Sequence, residues 1–162
     1  MINFSQQIAN HLRKVYFGGN WSDSNLKDNL EGLTWQQATT AIYKLNTIAT
    51  LAFHVNYYVA GVAKVLEGGA LAIRDKYSFD HPPIHSQEDW EKMLQQIWAD
   101  GEHFAQLIEK MPESQLREIF TDEKYGTFHQ NLLGIIEHLH YHIGQIALIR
   151  KIILSKNVLE KS

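Results

Sequence analysis

Thr127-Phe128-His129-Gln130-Asn131-Leu132-Leu133-Gly134-Ile135-Ile136-Glu137-His138-Leu139-His140-Tyr141-His142-Ile143-Gly144-Gln145-Ile146-Ala147-Leu148-Ile149-Arg150 reads as one long helix. Leu132, Ile135, Ile136, Leu139, Ile143, Ile146 and Ile149 recur at the spacing of a helical stripe, and Ile153 continues it. Thr127 and Gln130 have the spacing of a reciprocal N-terminal cap. Arg150 and Lys151 sit near the C-terminal end, where cations complement the helix dipole.

Three more helical blocks precede it. The first covers about Asn3–Tyr16, with Phe4, Ile8, Leu12, Val15 and Tyr16 in register, and Gly18-Gly19-Asn20 ends it. A loop with a short helical turn over Ser24–Leu30 follows. The second opens with the capping box Thr34-Trp35-Gln36-Gln37 and is predicted to run unbroken to about Leu66, stopped by Gly68-Gly69. The third starts at Ser86, carries Glu88 and Asp89 in its first turn, and closes at Pro112. No block alternates with period two. The expected fold is all-α, a single-domain four-helix bundle over residues 1–162 with long connections. The connection at 67–85, stretched at about 3.3 Å per residue, could span a bundle, so helices two and three could run parallel. Connection lengths alone leave the topology open.

The chain is long enough to bury a core without staples. Its 15 basic and 18 acidic residues nearly cancel and form no Lys/Arg cluster, which argues against a nucleic-acid partner held through phosphates. Cysteine is absent, so disulfides, zinc fingers and a protein thiol nucleophile are excluded. That fits a cytoplasmic location, as does an N-terminus without a signal core. Leu45–Leu66 is apolar on most sides, but Asn46, His54, Asn56, Tyr57, Tyr58 and Lys64 interrupt it, and a span needs about 20 predominantly apolar residues. No membrane span is expected. Such an apolar helix instead suggests a covered outer face, hence a symmetric homodimer.

His138 and His142 lie one turn apart on the last helix, their Cβ atoms roughly 5–6 Å apart, so both imidazoles can reach one ion. Nine histidines would give about half an i,i+4 pair by chance, so the spacing alone is weak. The pair His81/His85 contains Pro82-Pro83 and cannot be helical. Depth is an independent check. His54 lies twelve residues before the end of block two, and the 138/142 midpoint about as far into block four. Both are about 18 Å from a bundle end at 1.5 Å per residue. Antiparallel helices put the three rings level; parallel ones separate them by about 10 Å along the axis. The rival reading is three core-flanking histidines satisfied by backbone or side-chain partners. His140 points about 200° from its neighbours, toward solvent or an interface. Tyr57, Tyr58, Glu137 and Gln145 are candidates to support the metal-bound imidazoles from outside.

At these residues the chain resembles the DinB/YfiT-like superfamily, over essentially its whole length. The sharpest likeness is His138-Leu139-His140-Tyr141-His142-Ile143-Gly144-Gln145, followed by an aliphatic helix end. Asn29-Leu30-Glu31-Gly32-Leu33-Thr34 and the Pro-containing loop before a Ser-capped helix are also similar. The resemblance implies an up-down-down-up order with helices two and four antiparallel. It also implies a divalent ion, nickel or zinc, on His54, His138 and His142 with water completing the shell, and frequent homodimers. Ile143 departs from the Arg or Ala common at that position.

An open-sided ion on three imidazoles can lower the pKa of a bound thiol or water. Relatives include S-transferases and isomerases that use bacillithiol or mycothiol. The leading expectation is a metal-dependent transferase that activates a low-molecular-weight thiol for attack on an electrophilic substrate. One alternative is a metal-dependent hydrolase using metal-bound hydroxide. Another is a non-catalytic stress-response or ligand-binding bundle.

Overall fold

The long helices begin at side chains that satisfy their first free amides. In the computed structural model, which describes residues 3–159, Asn3 and Gln6 cap α1 (Phe4–Phe17) reciprocally, at 2.8 and 3.0 Å. Ser86 accepts from the Asp89 amide to open α5 (Gln87–Lys110). Thr127 and Gln130 do the same reciprocally for α6 (Phe128–Leu159). Asn25 caps the short α2 (Leu26–Leu30). The protein is all-α, with no strand among the described residues beyond an isolated bridge between Ile119 and Thr127. No helix among them is long and apolar enough to cross a membrane.

The second block is not one helix, which corrects the sequence expectation. Its capping box is present, with Thr34 accepting from the Gln37 amide and Gln37 reaching back, but it caps only α3 (Trp35–Thr39). The Thr39 and Thr40 hydroxyls donate to the Trp35 and Gln36 carbonyls, at 2.8 and 2.6 Å. Such bonds compete with the helical ladder, and Thr40 is extended. Tyr43 takes a positive φ of 52°. A second cap, Thr47 accepting from the Thr50 amide, then starts α4 (Ile48–Leu66).

Four long helices share one core. Ile8, Leu12, Val15 and Tyr16 of α1 are buried with Val55, Val59 and Val62 of α4. Trp90, Ile97, Phe104 and Ile108 of α5 join Leu139, Ile143 and Ile146 of α6. Each such side chain contributes about 1.5–3 kcal/mol by leaving water. α1 packs on α5, α5 on α4, α4 on α6 and α6 on α1, in a closed ring of neighbours.

Side-chain pairs fix the sense of each contact. On α1 and α5, the Phe4 amide donates to Glu113, Arg13 bridges Glu102 and Glu109, and Phe17 packs on Trp98. Partner numbers fall as α1 numbers rise. Between α4 and α5 they rise together, Asn56 with Asp100 and Glu67 with His103. Between α1 and α6 they also rise together, Phe4 with His129 and His11 with His140. His140 thus faces α1, half-buried, rather than open solvent. Arg13 is held protonated above its ordinary range by the two glutamates, and Glu102 is pulled below its own by Arg13. These half-exposed pairs set register more than stability.

The connection at 67–85 lies along α4 as a strap. The Tyr57 hydroxyl donates to the Arg74 carbonyl and accepts from the Arg74 amide, and the Tyr58 hydroxyl donates to Asp75 at 2.8 Å. His81 bonds Thr50 and packs on Phe53. Ile73 lies so close to Gly61 that any Cβ there would strike it. The surplus apolar surface of α4 is therefore covered in large part by the chain's own connection. Exposed apolar side chains do remain on α6, at Leu133, Tyr141 and Leu148.

Candidate metal centre

His54 on α4 and His138 and His142 on α6 converge as their depth along the two helices predicts. His138 Nε2 stands 3.0 Å from His54 Nε2 and 3.0 Å from His142 Nε2. All three candidate ligand nitrogens lie within 4.8 Å of one another. Two nitrogens on one ion, each ~2.0–2.1 Å from it, stand about 3.0–3.4 Å apart. Three histidines close together could hold a metal ion.

The protons test that fit. His142 Nδ1 donates to Gln145 Oε1 at 2.7 Å, which leaves a lone pair on His142 Nε2. His138 Nε2 carries at most one proton when neutral, yet faces two nitrogens at hydrogen-bonding distance. At least one of the two N···N contacts therefore cannot be a good hydrogen bond. A shared cation removes the conflict by using all three lone pairs. The donor set fits a divalent ion.

Electrostatics point the same way. Burial and its two histidine neighbours lower His138 to about 4. His54 is lowered first by burial and then by His142, with the Ser78 backbone and Asp75 opposing. His142 is lowered by burial against the pull of Gln145. At neutral pH the rings are uncharged, so no proton must leave before a metal enters. The same shifts have a consequence for the metal-free protein. Between 6.5 and about 4 the unfolded chain takes up a proton at His138 that the native state refuses. Native stability must fall as pH drops through that window. Thermal melts of chelator-treated protein across it should show this decline, and a His138→Gln variant should lose less over the same range.

The surroundings divide the remaining candidates. Tyr58 lies with its ring 5.1 Å from that of His54 and 4.9 Å from that of His138, edge-on to both. Gln145 holds His142. Tyr57 is turned to the strap, and Glu137 is exposed on α6. Sequence reasoning missed Phe79, whose ring stacks on His54 at 4.0 Å and 8°. It also missed Asp75, which accepts from Tyr58. Both sit in an aperiodic connection that gave no signal. A separate groove of about 320 Å³ on the α4–α5 face is lined by Phe53, Asn56, Pro82, Met93 and Ile97. It includes none of the three histidines.

Compared with protein-family models, curated proteins and solved structures, the chain finds no match.

Proposed function

We propose that this chain is a divalent-metal-binding four-helix bundle of DinB/YfiT-like, up-down-down-up order. In this reading it works as a metal-dependent transferase on a low-molecular-weight thiol. The topology is supported by the residue pairings, with α1 opposed to α5, α4 running with α5, and α6 running with α1. The metal reading is carried by one observation: three imidazole nitrogens meet where their own protons cannot satisfy them.

His54, His138 and His142 would hold the ion, which the family resemblance makes nickel or zinc among the several metals that imidazole donors accept. When bound, it supplies Lewis acidity that brings a thiol pKa toward neutrality. The chain has no cysteine, so the thiol arrives as a small molecule, and a cytoplasmic setting keeps it reduced. The thiol would give its proton to solvent water, its sulfur would bond to the electrophilic carbon, and the leaving group would depart with the bonding pair. Gln145 orients His142, and Tyr58 walls two of the three rings. A homodimer would use the exposed apolar residues of α6.

The test is to load the protein with cobalt(II) as a spectroscopic stand-in and titrate it with small thiols. A sulfur-to-metal charge-transfer band, followed by thiol consumption with an added electrophile, is the expected result. Cobalt uptake with no spectral response to any thiol would overturn the transferase. Gln145→Leu should weaken zinc binding about 10–100-fold in a competition assay, the usual cost of losing an outer partner of a ligating histidine.

A further inference from the structure

We infer that Phe79 is a positioning residue for the ion, holding the His54 imidazole by its face where no side chain bonds its second ring nitrogen. The inference rests on the metal reading above. Metal-ligating histidines almost always donate their second ring N–H to a partner that fixes the ring. His142 has Gln145 in that role. His54 has no side chain in that role: the Ser78 backbone is the hydrogen-bonding group that bears on it, and its buried Nδ1 makes no well-aligned bond. Rotation about the last side-chain torsion of histidine is intrinsically broad, so a flat contact on the ring face adds to what the Ser78 backbone alone can fix.

Phe79 meets the requirement geometrically. Its ring lies flat on His54, with centroids 4.0 Å apart and planes 8° from parallel. Tyr58 stands edge-on at 5.1 Å. Phe79 is 44% exposed, so core filling is a poor account of its placement. Its backbone is well anchored. Ser78, the preceding residue, is buried and donates its hydroxyl to the Asp75 carbonyl at 2.8 Å. Asp75 and Arg74 are tied in turn to Tyr58 and Tyr57. The strap at 67–85 thus contributes no ligand of its own yet governs how one ligand is presented. Displacing it would release the His54 ring.

Cobalt(II) binding to wild type, Phe79→Ala and Phe79→Tyr tests this, read by dissociation constant and by the visible ligand-field bands. Phe79→Ala should bind about 10–100-fold more weakly, by analogy with loss of other outer partners, with shifted or broadened bands. Phe79→Tyr, which keeps the stacking face, should restore both. Circular dichroism confirms folding, and Phe79→Leu replaces the alanine variant if that one melts. Wild-type affinity and bands in Phe79→Ala would overturn this inference alone. A wild-type protein that takes up no cobalt would overturn the metal reading and this inference with it.

Discussion

Replacing His138 with alanine is expected to abolish divalent-metal binding while leaving the helices intact. His138 is the hub of the cluster, the one ring whose Nε2 stands 3.0 Å from both others. Removing it leaves two imidazoles on different helices, and affinity should fall by well over the 10–100-fold typical of an outer-partner change. The fold should survive, because His138 is only half-buried and its removal relieves crowding among three nitrogens. Metal content after purification and a zinc competition titration measure the first part; a thermal melt of the metal-free variant measures the second. An unchanged metal content would remove these residues from consideration as ligands. His54→Ala is the less clean variant, since His54 is 5% exposed and its loss opens a cavity.

The second large effect is on stability. Gly101→Ala should destabilise the protein although alanine is the better helix former by about 1 kcal/mol. Gly101 is buried on α5, and a methyl group there would fall inside the ring of Tyr16 on α1. Tyr16 is itself fully buried, so the ring cannot swing into solvent. Overpacking of this kind costs about 1–3 kcal/mol, which should lower Tm by several degrees. Combining Gly101→Ala with Tyr16→Leu should cost less than the two changes separately, because the leucine vacates the contested space. An alanine variant as stable as wild type would mean that α1 and α5 can part freely at this point.

What could be read in advance was whatever depends on local order. Thr127 with Gln130, Ser86 with Glu88 and Asp89, and the isoleucine stripe of α6 each mark a helix within a few residues of itself. The levelling of His54 with His138 and His142 followed from counting along two helices, needing only their antiparallel sense as an extra premise. The break at 40–47 was less legible because Thr34 and Gln37 look the same whether they cap five residues or thirty. The clue was Thr47, a second capping residue inside a supposed helix. Tyr57 and Tyr58 sit at equally good spacings from His54. The strap separates them, since Arg74 engages one hydroxyl and Asp75 the other. Phe79 had no periodic context at all, and its importance comes wholly from a contact with a ring on another element.

The two halves of the cluster lie far apart in the chain: His54 and His138 are 84 positions apart. At ~5–20 residues per second of synthesis, the first donor waits several seconds or more for its companions to leave the ribosome. Until α6 has docked, a nascent chain thus presents His54 without the two histidines that the fold brings beside it. On the metal reading proposed above, capture of the ion would follow the docking of α6 and so report a finished fold.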